Sequence, residues 1–426
     1  MASPPLDSHG AWYLLRARRY AIAGVGPIAL AGTNFSVSFA MLRLEAPGDF
    51  GVFTFLFVAA QFTIALSAAL FGAPLQALPA TSRGGPADGT RAIVSATALA
   101  AVLAGLGFLS LARSMGLPFV PAGCYALYTG AMILRWVGRA WCYATDRPLR
   151  TAASDLIYAA VTLGTFAVAA GWLRIDPDNA CYAALATGAS VSLASFGRGY
   201  IAMLFAGSFR TFWTVYREIW RTQSRWALLG VGTTEAAANA HVYLVTLLAS
   251  GEAMAPIAAA SLLMRPINVA QNALADAERP QMARLIAAGA ATELRRTTRL
   301  FLGVLLAVWL AAAALAWVIV HYFPAVAFSQ GYDLGTVRLA IVLWTIVSFL
   351  ILLQVPLNVM LQAGGEFRAL AAATLCSSIV NVVGVALALA FFGPVWSVAA
   401  MTLGWTVDLL LVRRAAMRMQ RARGLA

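Results

Sequence analysis

Leu300–Val320 reads LFLGVLLAVWLAAAALAWVIV, twenty-one residues without a single charge. As a helix rising about 1.5 Å per residue, it spans roughly 30 Å, the thickness of a bilayer's hydrocarbon. A helix at a soluble surface would need a polar face, and this one has none. About eleven similar runs lie on either side of it. Tyr20–Leu42, Val52–Leu70, Ala92–Leu111, Phe119–Leu134, Ala153–Leu173 and Cys181–Phe205 form a first set. Trp226–Ala249, Ala255–Leu274, Leu339–Leu361, Ala369–Phe391 and Val395–Leu411 complete a second. Too little polar sequence is left between them for a sizeable soluble domain. The pattern predicts an all-α polytopic membrane protein with about 12 transmembrane helices.

Composition agrees. The chain is 61% hydrophobic and 11% charged, outside the range of soluble globular proteins. Its net charge is +13, from thirty arginines and no lysine. Such an excess in a soluble chain would point to nucleic acid. Here the arginines sit in short loops, so topology accounts for them and no nucleic-acid partner is expected. With the first residues placed in the cytoplasm and loops alternating, about 23 of the 30 arginines fall inside. They run from Arg16, Arg18 and Arg19 through Arg83, Arg139 and Arg217 to Arg421 and Arg423. Arg43, Arg113, Arg174 and Arg338 fall outside. Both termini are therefore expected in the cytoplasm, with the first span a retained signal anchor. The cysteines have no metal-ligand spacing and read as small packing residues. No HExxH, GxSxG or phosphate loop occurs, so an enzyme or a self-contained ATP-driven pump is not expected.

The chain also repeats itself. RYAIAGVG from Arg19 and RWALLGVG from Arg225 each open a span after a basic flank. Each span then passes a mid-span amide (Asn34; Asn239) to an acidic turn (Glu45; Glu252). With one residue of slippage, Gln61 falls opposite Asn268. The repeat is parallel and divides the chain into a six-helix lobe over 1–206, a connector over 207–224 and a second lobe over 225–426. The connector, GSFRTFWTVYREIWRTQS, carries Phe209, Phe212, Trp213, Tyr216 and Trp220 at helical spacing. Arg210, Arg217 and Arg221 lie largely off that stripe. It reads as an amphipathic helix at the cytoplasmic surface, attracted to anionic lipid.

Three stretches carry a family resemblance. Met41–Phe57 (MLRLEAPGDFGVFTFLF) is similar to the first outer loop of the Wzx-like oligosaccharide flippases, with its small turn before Phe-Gly. These belong to the multidrug/oligosaccharidyl-lipid/polysaccharide (MOP) exporter superfamily, which also holds the MATE transporters. Ser261–Leu285 resembles the family's Arg-bearing eighth span, and Ser378–Ala400 its eleventh and twelfth. Trp396-Ser397 departs from the usual Gly-Ala pair there. The resemblance implies two lobes around a central cavity, opening alternately to either side of a bacterial inner membrane. It implies a polyprenyl-diphosphate-linked oligosaccharide as substrate, with the lipid tail left in the bilayer. Twelve spans, where lipid II flippases typically carry two more, favour an exopolysaccharide or O-antigen repeat unit. Polysaccharide polymerase and export proteins would be partners. No cofactor is expected, and an ion gradient of H+ or Na+ would supply the drive. An exporter of drugs or metabolites with the same fold remains an alternative. A membrane polymerase or ligase is a second, although the longest outer loop, near His321–Gly335, is short for one.

Ionisable groups inside spans are costly in hydrocarbon, so those that persist are candidates for function. Arg265 lies about nine residues into its run, roughly 13 Å from the run's start. It is expected either to grip the lipid's pyrophosphate through paired hydrogen bonds or to form an internal ion pair with Glu235. Glu235 itself either makes that pair or carries a coupling proton. Asn239 shares its helix face, and His241, turned away, reads as a packing residue. Asn268 and Gln271 extend the polar face of Arg265. Gln354, Asn358 and Gln362 recur every four residues around Pro356, suited either to sugar hydroxyls or to joining helices. Asn34, Gln61 and Asn381 have the same two readings. Arg135 and Arg198 read as snorkelling cations at span ends, and Asp155 as a rim charge or cap.

Overall fold

The structure, a computed structural model, describes residues 7–72, 74–75, 88–145, 147–206, 209–328 and 331–425. Arg83, and residues 207–208 of the connector, lie outside them. Among the described residues every regular element is a helix. The first six spans are α1 (Asp7–Leu44), α2 (Pro47–Ser67), α3 (Asp88–Ser114), α4 (Phe119–Ala144), α5 (Pro148–Phe166) and α6 (Pro177–Ser192) with α7 (Arg198–Phe205). π-helical turns extend α2 over Ala68–Gly72 and α5 over Ala167–Trp172. The connector forms α8 (Phe209–Ile219) and a π-turn, Trp220–Ser224, that runs straight into α9. Six spans follow: α9 (Arg225–Leu248), α10 (Gly251–Ala287), α11 (Ala291–Tyr322), α12 (Leu334–Ala363), α13 (Phe367–Phe391) and α14 (Trp396–Ala422).

Seven of these helices are long and apolar enough to cross a bilayer unaided, and the bent α6–α7 pair adds an eighth. α4, α9 and α14 carry Arg135, Glu235 and Asp408, charged groups that lower the apolarity of an otherwise long helix. On α11, Leu300, Val304, Leu310, Leu315 and Trp317 are exposed, a continuous apolar face that water would not tolerate and lipid covers.

The sixth span is not the single helix its apolar run suggested. It turns by 104° between Phe196 and Arg198. Gly197 makes the turn at φ +84°, a left-handed value that costs glycine nothing. The Arg150 guanidinium donates to the Phe196 carbonyl at 2.7 Å, satisfying an acceptor that the helix end leaves open. Arg198 follows the bend and is exposed.

Contacts sort the chain into two compact units, Met1–Val37 with Ala60–Leu228, and Ser38–Ala59 with Leu229–Ala426. The core of the first unit gathers Phe71, Val137, Phe196, Tyr200, Phe212 and Tyr216. The connector contributes part of its aromatic stripe to that core. Phe212 and Tyr216 are buried in that core, and the Tyr216 hydroxyl donates to the Leu70 carbonyl at 2.8 Å. Trp213 and Trp220 are exposed, beside Arg217 and Arg221.

The second unit takes the turn between α1 and α2 for two local reasons. Arg43 donates to the carbonyls of Ala325 and, at 2.6 Å, Val326. Gly51 meets Gly251 so closely that a Cβ on Gly51 would stand 1.8 Å from the Gly251 carbonyl oxygen. Helix starts in this unit are capped in the ordinary way. Ser250 accepts from the Ala253 amide at 3.0 Å, and Asp333 accepts from the amides of Gly335 and Thr336. With the Thr336 hydroxyl, those bonds hold the Asp333 carboxyl below the usual carboxylate range.

Candidate functional site

Seven of the nine residues singled out from sequence lie in the second unit, and Asn34 and Gln61 in the first. Arg265 sits on α10, which starts at Gly251, four residues before the apolar run. Arg265 is therefore about 21 Å from the helix start and about 10 Å from Asn272, nearer that end of the span than the run implied. Its Nη1 donates to the Ser38 hydroxyl at 3.3 Å, and its Cζ stands 5.8 Å from the Phe57 ring centroid. The first hairpin thus supplies the surroundings of a residue more than two hundred positions away.

Glu235 and Arg265 do not pair. Asp155, in the first unit, does pair, with Arg135 and Arg139. The Glu235 carboxylate turns instead along its own helix. It accepts from Asn239 Nδ2 at 3.1 Å and from the Tyr243 hydroxyl. Glu235, Asn239 and Tyr243 are spaced by four residues, which stacks them on one face of α9. Tyr243 in turn meets Phe55 edge-on at 6.0 Å. The result, among the described residues, is a guanidinium with no counter-charge and a carboxylate held by neutral donors, two charges kept apart in one unit.

The amides divide between the two roles left open for them. Gln354 is buried and donates to the Trp405 carbonyl at 2.8 Å, and Asn381 donates to the Ala237 carbonyl at 2.8 Å. Both join helices. Asn268 is exposed on α10. Gln271 is buried with its Nε2 unpartnered, and Asn358 is half-buried with its Oδ1 unpartnered. Gln61, in the first unit, has an unpartnered Nε2. Asn34 accepts from the Tyr158 hydroxyl at 3.3 Å. His241 is buried edge-on against Trp344, with ring centroids 5.2 Å apart, as a packing residue would be.

Two features escaped the sequence reading. Arg135 does not snorkel: it is fully buried, with Asp155 beside it equally so. Arg135 Nε donates to the Ser154 hydroxyl at 3.0 Å, and its Cζ lies 4.7 Å from the Tyr158 ring centroid. Arg139, one turn on, meets the same carboxylate oxygen. A signal was available: Arg135 and Arg139 are four apart on α4, and Asp155 is a similar distance beyond the loop that joins α4 to α5. The second feature is Asp408 on α14, a carboxylate at 4% exposure.

No family model matches the chain, and no curated protein matches it. Solved structures do. An inward-facing multidrug resistance MATE family transporter of the MOP superfamily superposes with a TM-score of 0.67 at 15% identity, covering 91% of this chain and 95% of that one. A mutant form of the Vibrio cholerae MATE transporter VcmN gives 0.58 at 15% identity over 96% and 97%. The eukaryotic MATE transporter AtDTX14 gives 0.62 at 12% identity over 96% and 98%. Nearly the whole chain therefore has the all-helical fold of the MATE transporters, about twelve helices in two lobes.

Proposed function

We propose that the protein flips a polyprenyl-diphosphate-linked oligosaccharide, an exopolysaccharide or O-antigen repeat unit, from the cytoplasmic to the outer leaflet of a bacterial inner membrane. It does so by alternating access, with both termini in the cytoplasm, and makes or breaks no covalent bond. Polysaccharide polymerase and export proteins take up the product. One observation carries the reading: Arg265 is a guanidinium deep in a membrane helix that no carboxylate neutralises. Such a charge is expensive unless an anion visits it. A planar fork of N–H donors suits the oxygens of a diphosphate, and Ser38 steers it without cancelling its charge. Asn268, Gln271 and Asn358 are neutral groups with capacity to spare for sugar hydroxyls.

A second reading rests on Glu235. A carboxylate beside Tyr243 and Phe55 is also chemistry for an organic cation, which would make the chain a drug or metabolite exporter. Substitutions at Arg265 separate the two. Arg265→Ala should abolish polymer export at near-normal membrane abundance, and Arg265→Lys should restore only part of it, having charge without the fork. Because Glu235 does not pair with Arg265, adding Glu235→Ala to Arg265→Ala should rescue nothing. Recovery of export in the double variant would defeat the diphosphate role.

A further inference from the structure

The start of α11 carries a helix face that the transport reading leaves unused. Leu294, Phe301 and Leu305 turn into the core of the second unit, with Met282 and Ile286 of α10. On the opposite side, Thr292, Arg295, Arg296, Arg299 and Leu300 follow one another at the spacing of a single helical stripe. All five are exposed, and together they line a hollow of about 480 Å³. Beyond Leu300 the same stripe continues through Gly303, Val304, Ala307 and Leu310, exposed and apolar. The helix therefore passes from charged to lipid-facing surface within one residue, at Arg299–Leu300. The three arginines stand in the second and third turns, past the free amides of the helix start. Arg299 is four residues from Arg295 and three from Arg296, so their charges repel, and the positive end of the helix dipole adds to the repulsion. Glu293 is the one carboxylate of α11 and pairs with none of them; among the described residues the three have no ion pair or hydrogen bond. Positive charge gathered around a hollow at the edge of hydrocarbon suits a phosphate that is itself attached to acyl chains.

We propose that this hollow binds the phosphate headgroup of an anionic phospholipid, whose acyl chains lie along Leu300, Val304 and Leu310. With the orientation proposed above, the lipid belongs to the cytoplasmic leaflet. Its charge offsets the repulsion among the arginines, so occupancy stabilises α11 and the unit packed on it. The site is independent of the cargo, because it lies on the lipid-facing side of α11 and does not involve Arg265.

Thermal unfolding of the purified full-length protein in uncharged detergent tests the site without reference to transport. Short-chain phosphatidylglycerol should raise the wild-type midpoint saturably, since a ligand held only by the folded state stabilises it. Short-chain phosphatidylcholine has no net charge and inorganic phosphate has no chains, and neither should match that rise. Combining Arg295→Gln, Arg296→Gln and Arg299→Gln should weaken the apparent affinity for phosphatidylglycerol roughly a hundredfold, at about fivefold for each charge removed. Arg413→Gln with Arg414→Gln, which removes an exposed basic pair on α14, should leave that affinity unchanged. A wild-type midpoint indifferent to phosphatidylglycerol would overturn the proposal without recourse to any variant. Equal affinity in the wild type and the triple variant would overturn it too, as would equal losses in the triple and double variants. Inorganic phosphate that stabilises as well as the lipid would make the hollow a site for free anions. A short polyprenyl diphosphate that displaces phosphatidylglycerol from the same arginines at lower concentration would assign it to the cargo. Either result ends the phospholipid assignment.

Discussion

At the scale of single residues, charges inside the helices are met in three ways. Asp155 is met by two arginines, Glu235 by neutral donors, and Arg265 by a hydroxyl and a ring. The first is the most committed structurally. Asp155→Ala would strand Arg135 in the interior, and breaking a buried pair from one side typically costs about 3–5 kcal/mol. Thermal unfolding in detergent should show a much lower midpoint for Asp155→Ala than for Leu300→Ala on the lipid-facing side of α11. Equal midpoints would mean that the pair contributes nothing. Sequence made Arg265 stand out because a cation in the middle of an apolar run is costly in hydrocarbon, whatever it pairs with. It misjudged Arg135 because nearness to a span end permits snorkelling, and only tertiary packing shows that Asp155 has taken the side chain inward.

Elements were legible where hydrophobicity alone decides them. The runs at Leu300–Val320 and Leu339–Leu361 became α11 and α12, which start nine and five residues earlier and end two residues later. Two features depend on contacts between helices and left no trace in the pattern: the 104° bend at Gly197 and the glycine approaches. In lipid, where there is no hydrophobic drive between helices, close backbone approach is what holds them together. Gly404→Ala should therefore push α13 and α14 apart, costing about 1–3 kcal/mol through overpacking against Asn381. Gly303→Ala, with open space around it, should cost far less. Comparing the two unfolding midpoints checks this, and equal losses would show that the α13–α14 contact is not tight.

For the whole molecule, the apolar runs pointed to an all-helical membrane protein, and the described residues have the all-helical fold of the MATE transporters. Substrate was not legible in the same way, because that fold is set by apolar pattern while specificity rests on a few polar side chains. Topology has a direct check. In a variant without the four native cysteines, a cysteine at Asp333 should react with an impermeant thiol reagent added outside, and one at Gln420 should not. Reversal would invert the arginine-based orientation and the direction of transport with it. The central claim is tested most directly in vesicles holding the purified protein and a polyprenyl-diphosphate oligosaccharide in both leaflets. A glycosidase added outside should digest the outer pool at once and then, as the protein delivers it, the inner pool too. With Arg265→Ala the inner pool should stay protected. Protection of the inner pool by wild-type protein, in vesicles that nonetheless take up an organic cation, would contradict the account.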